Sequence, residues 1–203
     1  MTRRTPDRHP ILIGSGNPGK VREYREILAG LDVELVAPTD LNPVPPEPEE
    51  IASTFEDNAR SKARTYAMTT GLQTVADDSG LEVHALRGAP GVRSRRFFGE
   101  DASAEERNAK LLALLDGALD RSARFVCVTA LASPDGRVEF FEGEVHGEIA
   151  ESPRGDAGFG YDPVFVIAGD GRTMAELSSE EKHRISHRGL AGAKLRARLA
   201  GGG

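Results

Sequence analysis

Cysteine is almost missing from this chain: Cys127 is the only one in 203 residues. A lone cysteine excludes a disulfide framework and any metal centre built on cysteine pairs. Long apolar runs are missing too. Ile11-Leu-Ile13, which follows the basic Thr2–Pro10 segment, is far too short for a signal peptide, and no stretch approaches a membrane span. The expectation is a reducing, cytoplasmic setting. Positive charge is in deficit, with 26 Lys and Arg against 32 Asp and Glu and a net charge of −6. Nucleic acid or a membrane surface would want a basic face, so neither is an expected partner. A phosphorylated small molecule is compatible, because a few local cations and a metal can meet its charge.

Two motif absences narrow the chemistry. There is no Gly-x-Ser-x-Gly elbow, which speaks against a serine hydrolase. His183 and His187 are four apart but lack the Glu of an HExxH zinc motif and any evident third ligand. No internal repeat is present. What is there, 38% hydrophobic and 29% charged residues, suits one globular domain over residues 10–200. Loose tails are expected at 1–9 and 201–203.

Apolar runs and helical patterns interleave along that domain. Pro10–Gly14 reads as a first strand, and Asn17-Pro18 then opens a helix, with Asn17 as cap and Pro18 in its first position. Leu41–Glu50, rich in Pro and Glu, reads as a loop. Thr54-Phe-Glu-Asp57 and Ser103-Ala-Glu-Glu106 have capping-box spacing and open two further helices. Phe125–Leu131, apolar at every alternation, reads as a central strand covered on both faces. Pro134-Asp-Gly136 is a hairpin turn, Val164–Ile167 a short strand, and a last helix spans about Ser186–Leu199. The class is α/β with a mixed central sheet flanked by helices.

The chemistry gathers around Thr74-Val-Ala-Asp-Asp-Ser-Gly-Leu-Glu-Val83. This reads as strand, turn, strand, with Asp77 and Asp78 at a strand end and Ser79-Gly80 as the turn. Neighbouring carboxylates repel unless a cation intervenes, and magnesium is the usual one. Gly14–Lys20 fits the start of a P-loop, yet Val21 stands where that loop needs a hydroxyl. A Gly-rich turn feeding a helix still offers N–H groups to an anion, with Lys20 one turn in. Lys62, on the second helix, is placed by sequence just ahead of the Asp-Asp strand. Gly158-Phe-Gly-Tyr-Asp-Pro163 combines aromatics and an acid suited to a flat ring. Ile185-Ser-His-Arg-Gly189 offers an imidazole and a cation at a helix start.

In register, these segments resemble the inosine triphosphate pyrophosphatase family. Ser15-Gly-Asn-Pro-Gly-Lys20, Thr54-Phe-Glu-Asp-Asn-Ala59 with Lys62-Ala63, Ala76-Asp-Asp-Ser-Gly-Leu81 and Gly88-Ala-Pro-Gly-Val-Arg-Ser94 carry the first half of the match. Phe159-Gly-Tyr-Asp-Pro163, Met174-Ala-Glu-Leu177, Glu181-Lys182 and Ile185-Ser-His-Arg188 carry the second. The chain departs from that pattern at His84 (usually Asp), Arg95 (commonly Ala) and His183 (frequently Asn).

The resemblance implies two lobes with the active site in the cleft between them, and hydrolysis of deaminated purine triphosphates to monophosphate and pyrophosphate. It implies a triphosphate cradle of Ser15, Gly16, Asn17, Pro18, Gly19 and Lys20, with Ser79 also on the phosphates. Asp77, Asp78 and an acid of the preceding loop, Glu50 with Glu49 as the alternative, would hold Mg2+, with Lys62 as their neighbouring cation and Asp78 as general base. Phe159, Gly160, Tyr161, Asp162, Lys182, His187 and Arg188 would read the base. A homodimer is implied as well. The alternatives are a P-loop-like triphosphatase releasing orthophosphate and a non-catalytic nucleotide sensor.

Overall fold

Caps and glycines delimit the elements much as the sequence suggests. The computed structural model describes residues 10–201; the expected N-terminal tail and Gly202–Gly203 lie outside the described residues. Strand β1 (Pro10–Ile13) leads into helix α1 (Pro18–Ile27), whose N-cap Asn17 accepts the N–H groups of Gly19 and Lys20. Strand β2 (Glu34–Val36) and the Pro/Glu loop precede helix α2 (Phe55–Thr70). Thr54 caps α2 by accepting from the Asp57 N–H, and Gly71 ends it at φ +71, a left-handed stop that costs glycine nothing. Ser103 and Ser178 close full capping boxes at α3 (Ala104–Leu114) and α4 (Ser179–Ile185). Helix α5 runs His187–Gly201. Among the described residues, no helix is long and apolar enough to cross a membrane.

Among the described residues, six strands form one mixed sheet in the order β2, β1, β3 (Gln73–Val83), β4 (Ser122–Ala132), β5 (Val138–Ile149) and β6 (Phe165–Ile167). Strand β1 pairs in parallel with both β2 and β3, while β5 pairs antiparallel with β6. Strand β4 reaches β5 through the Pro134–Gly136 turn, closed by the Ser133 N–H on the Arg137 carbonyl at 2.9 Å. Double coverage of β4 holds for Cys127–Ala132, all buried; residues 123–126 alternate buried and half-buried instead.

The Asp-Asp stretch differs from its expected form. Gln73–Val83 is one continuous strand of 11 residues, so Ser79-Gly80 is extended backbone rather than a turn. Ladder hydrogen bonds on a central strand outweigh the local turn preference of Ser and Gly. The two acids therefore lie in mid-strand, where successive side chains project to opposite faces.

The chain divides into two compact units. One comprises the chain up to Asp77, Thr129–Phe141 and the chain from Gly192 onward; the other comprises Asp78–Val128 and Glu142–Ala191. The first is built on Ile11, Ile13, Tyr24, Leu28, Val75, Leu131 and Leu195. The second has its own core, including Leu81, Leu111, Phe125, Ile149, Phe165 and Met174.

Candidate functional site

In the first unit, the turn from β1 to α1 is organised by its own side chains. Ser15 Oγ accepts the Asn17 N–H at 3.1 Å, and Asn17 Oδ1 accepts from Gly19 and Lys20 at 2.8 and 3.3 Å. The Gly16 N–H donates to Glu47 Oε1 at 3.1 Å. The free N–H donors expected here are thus engaged: Gly16, Asn17, Gly19 and Lys20 each find an acceptor within the protein, and Pro18 has no N–H to give. The carboxylate on Gly16 is the unforeseen member. A Cβ at position 16 would lie 2.3 Å from Glu47 Oε2, so glycine is required for that approach. Nothing in the Pro/Glu composition distinguished Glu47 from Glu49 or Glu50. Glu47 also reaches the buried Tyr66 electrostatically: burial first, and Glu47 second, push the Tyr66 phenol up to about 12.

Lys20 and Lys62 converge on Asp77. Lys20 Nζ lies 3.2 Å from Asp77 Oδ2 and 3.3 Å from the Asp77 carbonyl, which Lys62 Nζ also reaches at 3.2 Å. Lys62 is no solvated helix lysine. It is only 3% exposed, and it pairs with Glu50 of the Pro/Glu loop. Asn58, one turn earlier on α2, pins the same loop by exchanging hydrogen bonds with both backbone groups of Ala52. The expected loop acid, the two lysines and Asp77 thus form one connected cluster. Ammonium groups satisfy charges that would otherwise be buried alone, a condition for keeping them in a folded core.

In the second unit, Asp78 Oδ1 accepts the Ser79 N–H at 2.9 Å, and the Asp78 side chain is buried. Ser79 Oγ takes a hydrogen bond from Arg188 Nη2 at 2.7 Å. Arg188 is buried, at 2% exposure. Its guanidinium lies 5.5 Å from the Phe159 ring centroid, and Lys182 Nζ lies 4.9 Å from the same ring. Two cations on one aromatic ring hold it in place. Lys182 is salted to Asp162 Oδ2 at 2.7 Å, and that oxygen also accepts the Phe159 N–H at 2.7 Å. Gly158 packs against this carboxylate: a Cβ there would lie 2.1 Å from Asp162 Oδ2, at a φ of +75. His187 stacks on Phe125 at 4.6 Å and 14°.

Tyr161 and Gly160 are tied from outside the motif. Tyr161 Oη donates to the Ser94 carbonyl at 2.9 Å, and Asn108 Nδ2 donates to the Gly160 carbonyl at 3.1 Å. Burial pushes the Tyr161 phenol up to about 12, against a lesser opposing pull from Arg107. Asn108 escaped the sequence reading, because one Asn inside a capped helix carries no motif. Of the departures from the family pattern, His84 is exposed and paired with Asp120, and His183 Nε2 lies 3.3 Å from Ser179 Oγ. Hydrogen bonds from Ser122, then from His84, lower the Asp120 carboxyl to about 2. Among the described residues, no group of three or more His, Cys, Asp or Glu is gathered as a ready metal cage.

A profile of the Ham1 family matches residues 11–198. The chain is 51% identical over 187 residues to a protein of Deinococcus deserti named dITP/XTP pyrophosphatase, covering 92% of this chain and 88% of that one. A Geobacter sulfurreducens protein of the same name is 50% identical over 191 residues, covering 93% and 96%. Among solved structures, a HAM1 protein from Coxiella burnetii superposes with a TM-score of 0.85 at 44% identity, covering 94% of this chain and 98% of that one. With its family profile, its relatives and its mixed six-stranded α/β fold in agreement, this chain belongs to the Ham1 family.

Proposed function

We propose that the protein hydrolyses deaminated purine nucleoside triphosphates (ITP, dITP and XTP) to the monophosphate and pyrophosphate. The observation that carries the reading is the Arg188 contact to Ser79, the neighbour of Asp78, made by a cation that also faces Phe159. One buried side chain thereby connects the acid proposed to act on water with the ring proposed to meet the base. Relatives near 50% identity bearing the name dITP/XTP pyrophosphatase support the same substrate class.

Asp78 takes a proton from the attacking water, whose oxygen bonds to the α-phosphorus as the α–β bridging P–O bond breaks. Lys20 and Lys62, already turned to an acidic partner, meet the charge of the departing pyrophosphate. Magnesium is the proposed cofactor, with Glu50, Asp77 and Asp78 as its carboxylates. That set fits in kind: hard oxygen donors, and magnesium asks only one or two protein carboxylates when phosphate oxygens complete its shell. When bound, it would shield phosphate charge and acidify water.

At the base end, inosine and xanthosine present a 6-oxo acceptor where adenine has an amine. Lys182 and Arg188 are donors, so adenine would leave them facing another donor, a mismatch worth on the order of 10⁴-fold in rate where the site is built for hydrogen bonding. Asp162 stabilises this arrangement through Lys182 and the Phe159 N–H rather than standing free for N1–H. A cytoplasmic homodimer accompanies the reading. The test is a panel of ITP, dITP, XTP, GTP and ATP with magnesium, scored separately for pyrophosphate and orthophosphate. Orthophosphate as the product, or equal turnover of ATP and ITP, would overturn it.

A further inference from the structure

Resting on that reading, we infer that Asn108 is a positioning residue for the loop that meets the base. Asn108 lies inside α3 and is 4% exposed, among residues that pack the core of its unit. Its Nδ2 donates to the Gly160 carbonyl at 3.1 Å, while its Oδ1 is buried with no hydrogen-bond partner among the described residues. The amide cannot be turned over to relieve this, because Oδ1 would then confront the Gly160 oxygen. A buried amide oxygen left unmet destabilises the fold, and Asn is a weak helix former in a helix interior. A leucine of similar size would fill the space without either cost. The sequence retains the polar side chain here, and the hydrogen bond to the Gly160 carbonyl is what it obtains.

That bond falls at the centre of the loop. Gly160 is flanked by Phe159, the ring faced by Lys182 and Arg188, and by Tyr161, whose hydroxyl is fixed on the Ser94 carbonyl. Ser94 Oγ in turn accepts the Leu81 N–H at 2.8 Å, two residues beyond Ser79. Asp162 is fixed by Lys182. The loop thus has three anchors on three successive residues, drawn from α3, from the Gly91–Ser94 turn and from α4. Without Asn108 the peptide between Phe159 and Tyr161 loses its anchor, and the ring is no longer presented at a fixed height.

Asn108→Leu tests this with three readouts: melting temperature, amide exchange across residues 158–161, and kinetics of pyrophosphate release from ITP. The expected result is an unchanged or raised melting temperature and faster exchange across 158–161. KM for ITP should rise about tenfold, of the order one lost hydrogen bond gives, with kcat within about twofold. A lowered melting temperature with unchanged KM and unchanged exchange would make Asn108 a packing residue only and overturn the inference. Should Asn108→Leu fail to fold, Asn108→Ala removes the donor without adding bulk or charge, and the same KM rise is required of it. If the wild-type protein releases no pyrophosphate from ITP, the functional reading fails. The exchange measurement then decides the anchoring by itself, and unchanged protection at 158–161 refutes it.

Discussion

Breaking the Lys182–Asp162 pair is the sharpest test of how the second unit is held. Both side chains are buried, at 6% and 4% exposure, with 2.7 Å between Nζ and Oδ2. At that separation two unit charges attract by about 6 kcal/mol at an effective dielectric of about 20, before desolvation is counted. Asp162→Asn removes one charge and leaves a buried ammonium without it, a change that costs about 3–5 kcal/mol when one partner of a buried pair is lost. For a chain of this length that is about 6–20 °C in Tm, at about 2–4 °C per kcal/mol. Lys182→Met alone should cost a similar amount, because the carboxylate is then stranded in turn. Asp162→Asn combined with Lys182→Met should recover most of either loss, since no uncompensated charge remains. Urea unfolding of the four proteins gives the cycle, with the m-value checked for constancy. A coupling energy below about 0.5 kcal/mol, or single losses below about 1 kcal/mol, would refute the assignment of this pair as the support of the Phe159 loop.

Three further outcomes are expected. Gly158→Ala should destabilise by at least about 1 kcal/mol in urea unfolding, because its methyl meets Asp162 Oδ2 at a positive φ; an unchanged midpoint would contradict the packing seen there. The phenols of Tyr66 and Tyr161 are both raised to about 12, so the folded chain holds protons that the unfolded chain releases from about pH 10. Stability is therefore full below pH 10 and falls between pH 10 and 12, by up to about 3 kcal/mol per phenol; Tyr66→Phe and Tyr161→Phe should each flatten part of that fall, and a flat wild-type profile would sink the point. Glu47→Gln weakens the claim of a carboxylate on the Gly16 N–H, so KM for ITP should drop by about two- to tenfold at low salt, with the gap narrowing as salt rises. Identical KM values at every ionic strength would show that Glu47 does not compete with substrate phosphate.

Local chemistry was legible where one residue decides the outcome. Asn17, Thr54 and Ser103 cap helices because a short side-chain acceptor meets orphan N–H groups. Gly71 stops α2 because its backbone tolerates a left-handed turn. Burial of charge was not legible. Lys62 and Arg188 have the composition of surface residues, and only their tertiary partners, Glu50 and the Asp77 carbonyl for one, Ser79 and Phe159 for the other, make an interior position affordable. Glu47 and Asn108 escaped for a related reason: each acts through one distant backbone group, and a backbone group leaves no trace in a side-chain pattern.

The misreading of Asp77-Asp-Ser-Gly80 carries the most chemical weight. Read as a strand end before a Ser79-Gly80 turn, the two acids repel, and a cation between them is the natural remedy. Read as mid-strand, they project to opposite faces, and each is met separately: Asp77 by Lys20, Asp78 by the Ser79 N–H. Repulsion between them then needs no shared ion. The lysines matter for the same reason, since a cation already beside a carboxylate lowers its hunger for a second one. Asp77→Asn and Asp78→Asn should accordingly behave differently. The first frees Lys20 and alters phosphate affinity, read as KM; the second removes the proposed base and lowers kcat by about 10²–10⁴-fold. Equal effects of the two changes on kcat, with KM untouched in both, would restore the picture of a single paired acid and refute the division of labour argued from the strand.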